Sequence, residues 1–122
     1  MKPGQDIIVL AEEYPSNFYI WQSLAKELKG NLITVSRPTD GDWTSQILKT
    51  ISETTGLAAL PHCHWTDGSL IDLKKIRRAL DQTNAGLVLD LTQSLGAMSF
   101  DITTIQPDFA IAAAYKWLLG PY

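Results

Sequence analysis

Cysteine is nearly absent: Cys63 stands alone, so no intrachain disulfide can staple the fold. Long apolar runs are missing too, and none approaches the ~20 residues that a membrane-spanning helix needs. The opening stretch MKPGQDIIVLAEE lacks both the apolar region and the cleavage site of a secretory leader. These absences point to a soluble, reduced, cytoplasmic protein with no membrane partner. Positive charge is also scarce, with 10 Lys and Arg against 13 Asp and Glu for a net charge of −3. Without a basic field there is nothing to hold a phosphate backbone, which excludes nucleic acid as an expected partner. Repeats, low-complexity tracts and linkers are lacking as well. What remains is 122 residues, 45% apolar and 19% charged, enough for one domain over 1–122 with a single core.

The apolar residues alternate between two periodicities. Ile7 to Leu10 follows a Pro3-Gly4 turn signal and reads as a strand. The segment PSNFYIWQSLAKELKG then sets Trp21, Leu24, Ala25 and Leu28 on one helical face, with Ser16 as the expected N-cap and Gly30 in the left-handed position that ends the helix. Leu32 to Val35 is a second strand. Trp43, Ile47 and Ile51 repeat at helical spacing up to Gly56, the expected stop. Leu57 to Leu60 is a third strand, and Ser69-Leu70-Ile71-Asp72 has the spacing of a capping box ahead of Leu73, Ile76 and Leu80. A fourth strand runs from Gly86 to Leu89 and ends in Asp90. After a short helix begun at Asp101, a fifth covers Phe109 to Ala114. Nearly all-apolar strands separated by amphipathic helices predict an α/β fold, three-layer α/β/α around a mainly parallel sheet.

In such sheets ligands bind beyond the carboxyl ends of the strands. His62, Cys63, His64 and Trp65 follow the third strand, Asp90 and Gln93 the fourth, and Lys116 the fifth. Lys116 lies between FAIAAA and Trp117-Leu118-Leu119, where desolvation favours the neutral, nucleophilic amine that forms Schiff bases. A lysine can equally lay its stem along an apolar edge and hold its ammonium in water. Asp90 would supply the anion that keeps a pyridine nitrogen protonated, the second requirement of pyridoxal chemistry, or it could be a turn residue satisfied by nearby amides.

The string DLTQSLGAMSFDITTIQPDFAIAAAYKWLLGPY closely resembles the cofactor segment of class V aminotransferases, the group that includes cysteine desulfurases and kynureninase. KPGQDIIVLAEEYPSN and HCHWTDGSLIDLKKI extend the resemblance over nearly the whole chain. It implies the central part of the large domain of a fold-type-I enzyme that uses pyridoxal phosphate on an amino-acid substrate, as a homo-oligomer, in most relatives a dimer. By the same resemblance Lys116 forms the Schiff base and Asp90 pairs with the pyridinium nitrogen. Gln93 meets the cofactor's phenolic oxygen, His64 or Trp65 lies against the same edge, and Tyr115 helps hold the phosphate. The freed Lys116 amine would act as general base while Asp90 sustains the electron sink.

Ala113-Ala114-Tyr115-Lys116 departs from the Ser-x-His-Lys of many relatives, which points away from desulfurases and toward kynureninase and general transaminases. The family's N-terminal phosphate-binding turn and C-terminal small domain have no counterpart in these residues. The expectation is therefore a fragment of a longer enzyme or a short descendant of one, with apolar surface exposed and a tendency to self-associate. Two rival readings stand beside the enzyme. One is a non-catalytic scaffold or interaction module on the same fold. The other is a metal-dependent hydrolase built on His62 and His64, with Asp67, Cys63 or Asp90 completing the ligands. Lys74, Lys75, Arg77 and Arg78 read as a solvated helix face, Tyr14, Phe18, Tyr19 and Trp21 as packing residues, and Cys63 as a buried small side chain.

Overall fold

Strands and helices alternate strictly in the computed structural model, which describes residues 1–121. In chain order they are β1 (Asp6–Leu10), α1 (Pro15–Glu27), β2 (Leu32–Val35), α2 (Trp43–Thr50), β3 (Thr55–Pro61), α3 (Leu73–Thr83), β4 (Gly86–Asp90), α4 (Ile102–Ile105) and β5 (Phe109–Ile111). All four pairings between these strands are parallel and the strand order is β2-β1-β3-β4-β5. The chain therefore winds outward through β2, returns to β3 and continues the other way. The reversal between β1 and β3 is the topological switch point at which open α/β sheets hold ligands.

The central strands are apolar throughout because both sheet faces are covered. In β1, Ile8 and Leu10 join a large core with Trp43 and Ile47 of α2 and Leu73, Ile76 and Leu80 of α3. Ile7 and Val9 point the other way, into a smaller cluster with Ala25 of α1 that Phe18, Trp21 and Leu24 flank. The period-two alternation of strand side chains thus builds the three layers.

Several expected boundaries move, each for a local reason. Tyr14, not Ser16, is the N-cap of α1, and Pro15 fills the first turn, where its missing N–H costs nothing. At the other end Lys29, not Gly30, takes the left-handed conformation, with φ of 55°. Gly30 is required for space: a Cβ there would lie 1.9 Å from the Gln5 carbonyl oxygen. Gly56 does not stop α2, which ends at Thr50, but sits inside β3 beside Gln5. Asp72, not Ser69, caps α3, its carboxylate accepting the Lys75 N–H at 3.1 Å. The short helix expected from Asp101 is α4, which Asp101 precedes as its cap, accepting from the backbone N–H groups of Thr103 and Thr104. The fifth strand stops at Ile111 because the Ala113 N–H turns to the Thr92 hydroxyl, 3.0 Å away, and leaves the ladder.

Candidate active site

Four strand ends converge on one cleft of about 270 Å³. The turn after β1 contributes Glu13 and Tyr14, the first turn of α1 contributes Asn17, and the loop after β3 contributes Cys63 and Trp65. Asp90, Thr92 and Gln93 enter from the end of β4, and Tyr115 and Lys116 from beyond β5. Lys116, Asp90, Gln93, Tyr115 and Trp65, predicted from sequence, therefore share a wall.

Asp90 is half-buried and held from two sides. Its Oδ1 accepts the Thr92 N–H at 2.8 Å and its Oδ2 accepts the Asn17 side-chain amide at 2.5 Å. The turn role and the site role coexist, because a carboxylate has about four acceptor positions and these bonds use two. The Leu91 N–H donates to the Ile111 carbonyl at 2.7 Å, binding the Asp90 end of β4 to the segment that leads to Lys116. The half-buried Lys116 carries its Nζ 6.0 Å from the centre of the Tyr115 ring.

His64 and Trp65 take opposite positions. The Trp65 ring is partly exposed in the cleft, meets Tyr14 edge to face at 5.5 Å, and donates its Nε1–H to the Glu12 carbonyl at 2.6 Å. His64 is fully buried behind it and stacked on Trp43 at 4.9 Å. Its Nε2 lies 3.1 Å from the Ala11 carbonyl oxygen and its Nδ1 2.9 Å from the Thr66 hydroxyl. These partners assign the proton to Nε2, which donates to Ala11, and leave Nδ1 to accept from Thr66. With both ring nitrogens engaged, His64 is a packing residue and does not line the cleft.

The two histidines are engaged separately. His62 lies 3.1 Å from the Ser94 hydroxyl through Nδ1, and burial holds its pKa below the usual value. Asp67 is ion-paired with Arg37. Burial pushes its carboxyl up, but the Ser69 backbone and side chain and then Arg37 outweigh that and hold it at about 2. Among the described residues no three His, Cys, Asp or Glu side chains converge as metal ligands. The half-buried Cys63 thiol is pushed up, first by burial and then by the Asp67 charge, which disfavours the reactive thiolate.

Glu13, Tyr14, Asn17 and Thr92 also line the cleft, where the sequence reads Tyr14 as a packing residue and marks none of the other three. The signal that marks them is position: Glu13 and Tyr14 lie just beyond β1 as Gln93 lies just beyond β4.

The Aminotransferase class-V family matches residues 1–122. A probable cysteine desulfurase of Mycoplasma genitalium is 29% identical over 123 residues, covering 99% of this chain and 30% of that protein. A kynureninase of Deinococcus radiodurans is 28% identical over 110 residues, covering 90% of this chain and 25% of that protein. Near-equal identities give no overall preference for the kynureninase side suggested by Tyr115-Lys116. A solved mutant of C-DES with glycine covalently linked to its PLP cofactor has the same fold, with a TM-score of 0.86, 20% identity, and coverage of 99% of this chain and 33% of that one. The chain spans between a quarter and a third of these relatives' length. The family match runs the whole length of the chain and the fold likeness accords with it: the chain belongs to the class-V aminotransferase family.

Proposed function

We propose that the cleft is the cofactor half of a pyridoxal-phosphate site serving transaminase or lyase chemistry on an amino acid. The observation that carries this reading is the presence of Lys116 and Asp90 in one cleft, from the ends of β5 and β4. The family is pyridoxal-phosphate-dependent, and a member of the same fold, C-DES, holds that cofactor. When bound, the cofactor supplies an electron sink for bonds broken at the substrate's α-carbon.

The residues present fit that group. They offer an amine, a carboxylate fixed by two donors, an amide, and three aromatic rings in a cleft about the size of a small planar molecule. Lys116 would hold the cofactor covalently and, once released by substrate, move the α-proton. Asp90 would face the ring nitrogen, with Thr92 and Asn17 fixing its orientation, and Gln93 would meet the phenolic oxygen. Trp65 and Tyr14 would lie against the ring, and Tyr115 near the phosphate. A cytoplasmic homodimer completes the reading, and the exposed apolar side chains near β5 are consistent with association.

The test is to mix the purified chain with pyridoxal phosphate, record the visible band, reduce with borohydride and map the labelled peptide. A stoichiometric adduct on Lys116, lost in Lys116→Ala, is expected. Labelling scattered over several lysines, or none, would overturn the reading in favour of a scaffold that keeps the fold without the cofactor.

A further inference from the structure

Glu12 and Glu13 are adjacent carboxyls with opposite fates. Glu12 adopts the left-handed conformation, with φ of 58°, and pairs with Arg37 at 2.7 Å. The kink sends the next residue inward, and Glu13 lines both the cleft and a small cavity behind it formed by Trp21, Leu60 and Val88. Its Oε1 accepts the Tyr14 N–H at 3.1 Å. Its Oε2 is buried with no hydrogen-bond partner among the described residues. A buried anionic oxygen without a donor is costly, and a proton removes that cost. Asp90 lines the same two spaces, and Asn17, in the first turn of α1, ties it to this corner through its 2.5 Å bond.

We propose that Glu13 and Asp90 form a carboxyl pair at the corner held by Asn17, in which Glu13 is a positioning residue that carries the pair's proton until the cofactor binds, while Asp90 carries the charge presented to the cofactor ring. This rests on the reading of the cleft as a pyridoxal-phosphate site. Two like charges at one corner favour protonation of the more buried member. Burial, and after it the Asp90 charge, raise Glu13 to about 7, against the Tyr14 N–H and the Asn17 amide, which pull it down. The titratable groups around it are Tyr14 on its own segment, Cys63 after β3, Asp90 after β4, and Tyr115 and Lys116 after β5. Asp90 is the one whose charge acts on Glu13. A protonated ring nitrogen beside Asp90 would offset that charge, so cofactor binding should ease the ionisation of Glu13. Ionised Glu13 would in turn hold the ring nitrogen protonated to higher pH.

The test uses the full chain with carboxyl-labelled glutamate, followed by NMR over roughly pH 4 to 9. Without cofactor, one glutamate should titrate at about 7, disappear in Glu13→Gln, and move back toward 4.5 in Asp90→Asn. In the loaded chain, with Lys116 labelling intact, the visible band should show a pH step that Glu13→Gln removes and Glu13→Asp restores. No glutamate titrating above about pH 5.5, or a step that persists in Glu13→Gln, would sink the carboxyl pair. Failure of the wild-type chain to label Lys116 while Glu13 still titrates high would instead overturn the cofactor reading, and with it any role of the pair toward a cofactor.

Discussion

His64 and Trp65 are one residue apart and do different work. His64 is buried between Trp43 and the Ala11 carbonyl, so His64→Leu should remove its hydrogen bonds to Ala11 and Thr66, leave those partners unsatisfied, and cost about 2–4 kcal/mol in urea unfolding. Trp65→Ala loses one exposed bond and an edge contact with Tyr14. It should cost only about 1 kcal/mol in the same measurement while weakening pyridoxal-phosphate binding severalfold. A folded His64→Leu variant that loses the cofactor, beside a Trp65→Ala variant that keeps it, would reverse the assignment. Sequence brought both residues to the site because both follow a strand end, but not which one faced in, since that depends on the Ala11 carbonyl and Thr66 hydroxyl that claim the imidazole. Glu13 is hard to read from sequence for a similar reason: a single left-handed residue, Glu12, decides which of two glutamates enters the cleft.

Strand positions were legible because burial on both faces writes an unbroken apolar run, and β2 falls at Leu32–Val35 as read. Helix ends were less so, since they depend on what the flanking chain touches. The α1 terminus shows this. Gly30 matched the usual glycine stop, yet its role is to let the Gln5 carbonyl approach, while Lys29 takes the strained conformation. Gly30→Ala should therefore destabilise by more than about 2 kcal/mol, because the clash is with backbone that cannot swing aside. Lys29→Gly should stabilise by up to about 1 kcal/mol by relieving the left-handed strain. Paired urea titrations decide it: if Lys29→Gly destabilises while Gly30→Ala is tolerated, the glycine serves its conformation and not the approach of β1.

At the scale of the whole molecule, the two sheet faces are unequally covered. Helices α2, α3 and α4 seal one core, whereas α1 alone lies over the other face and leaves a groove bounded by Trp21, Leu24, Leu57, Val88 and Phe109. The side of β5 is the open one: Phe109 is 68% exposed, Ile111 59% and Leu119 87%. Edge strands with apolar side chains and unpaired backbone groups favour association. Sedimentation velocity over about a twentyfold concentration range should therefore show the chain growing beyond its 13.5 kDa monomer. Phe109→Lys combined with Leu119→Lys should hold it near the monomer without disturbing the Lys116 adduct, because neither side chain lines the cleft. A wild-type chain that stays monomeric throughout would show that three short residues of edge are too little to pair, and would place the stability of the open face in α1 alone.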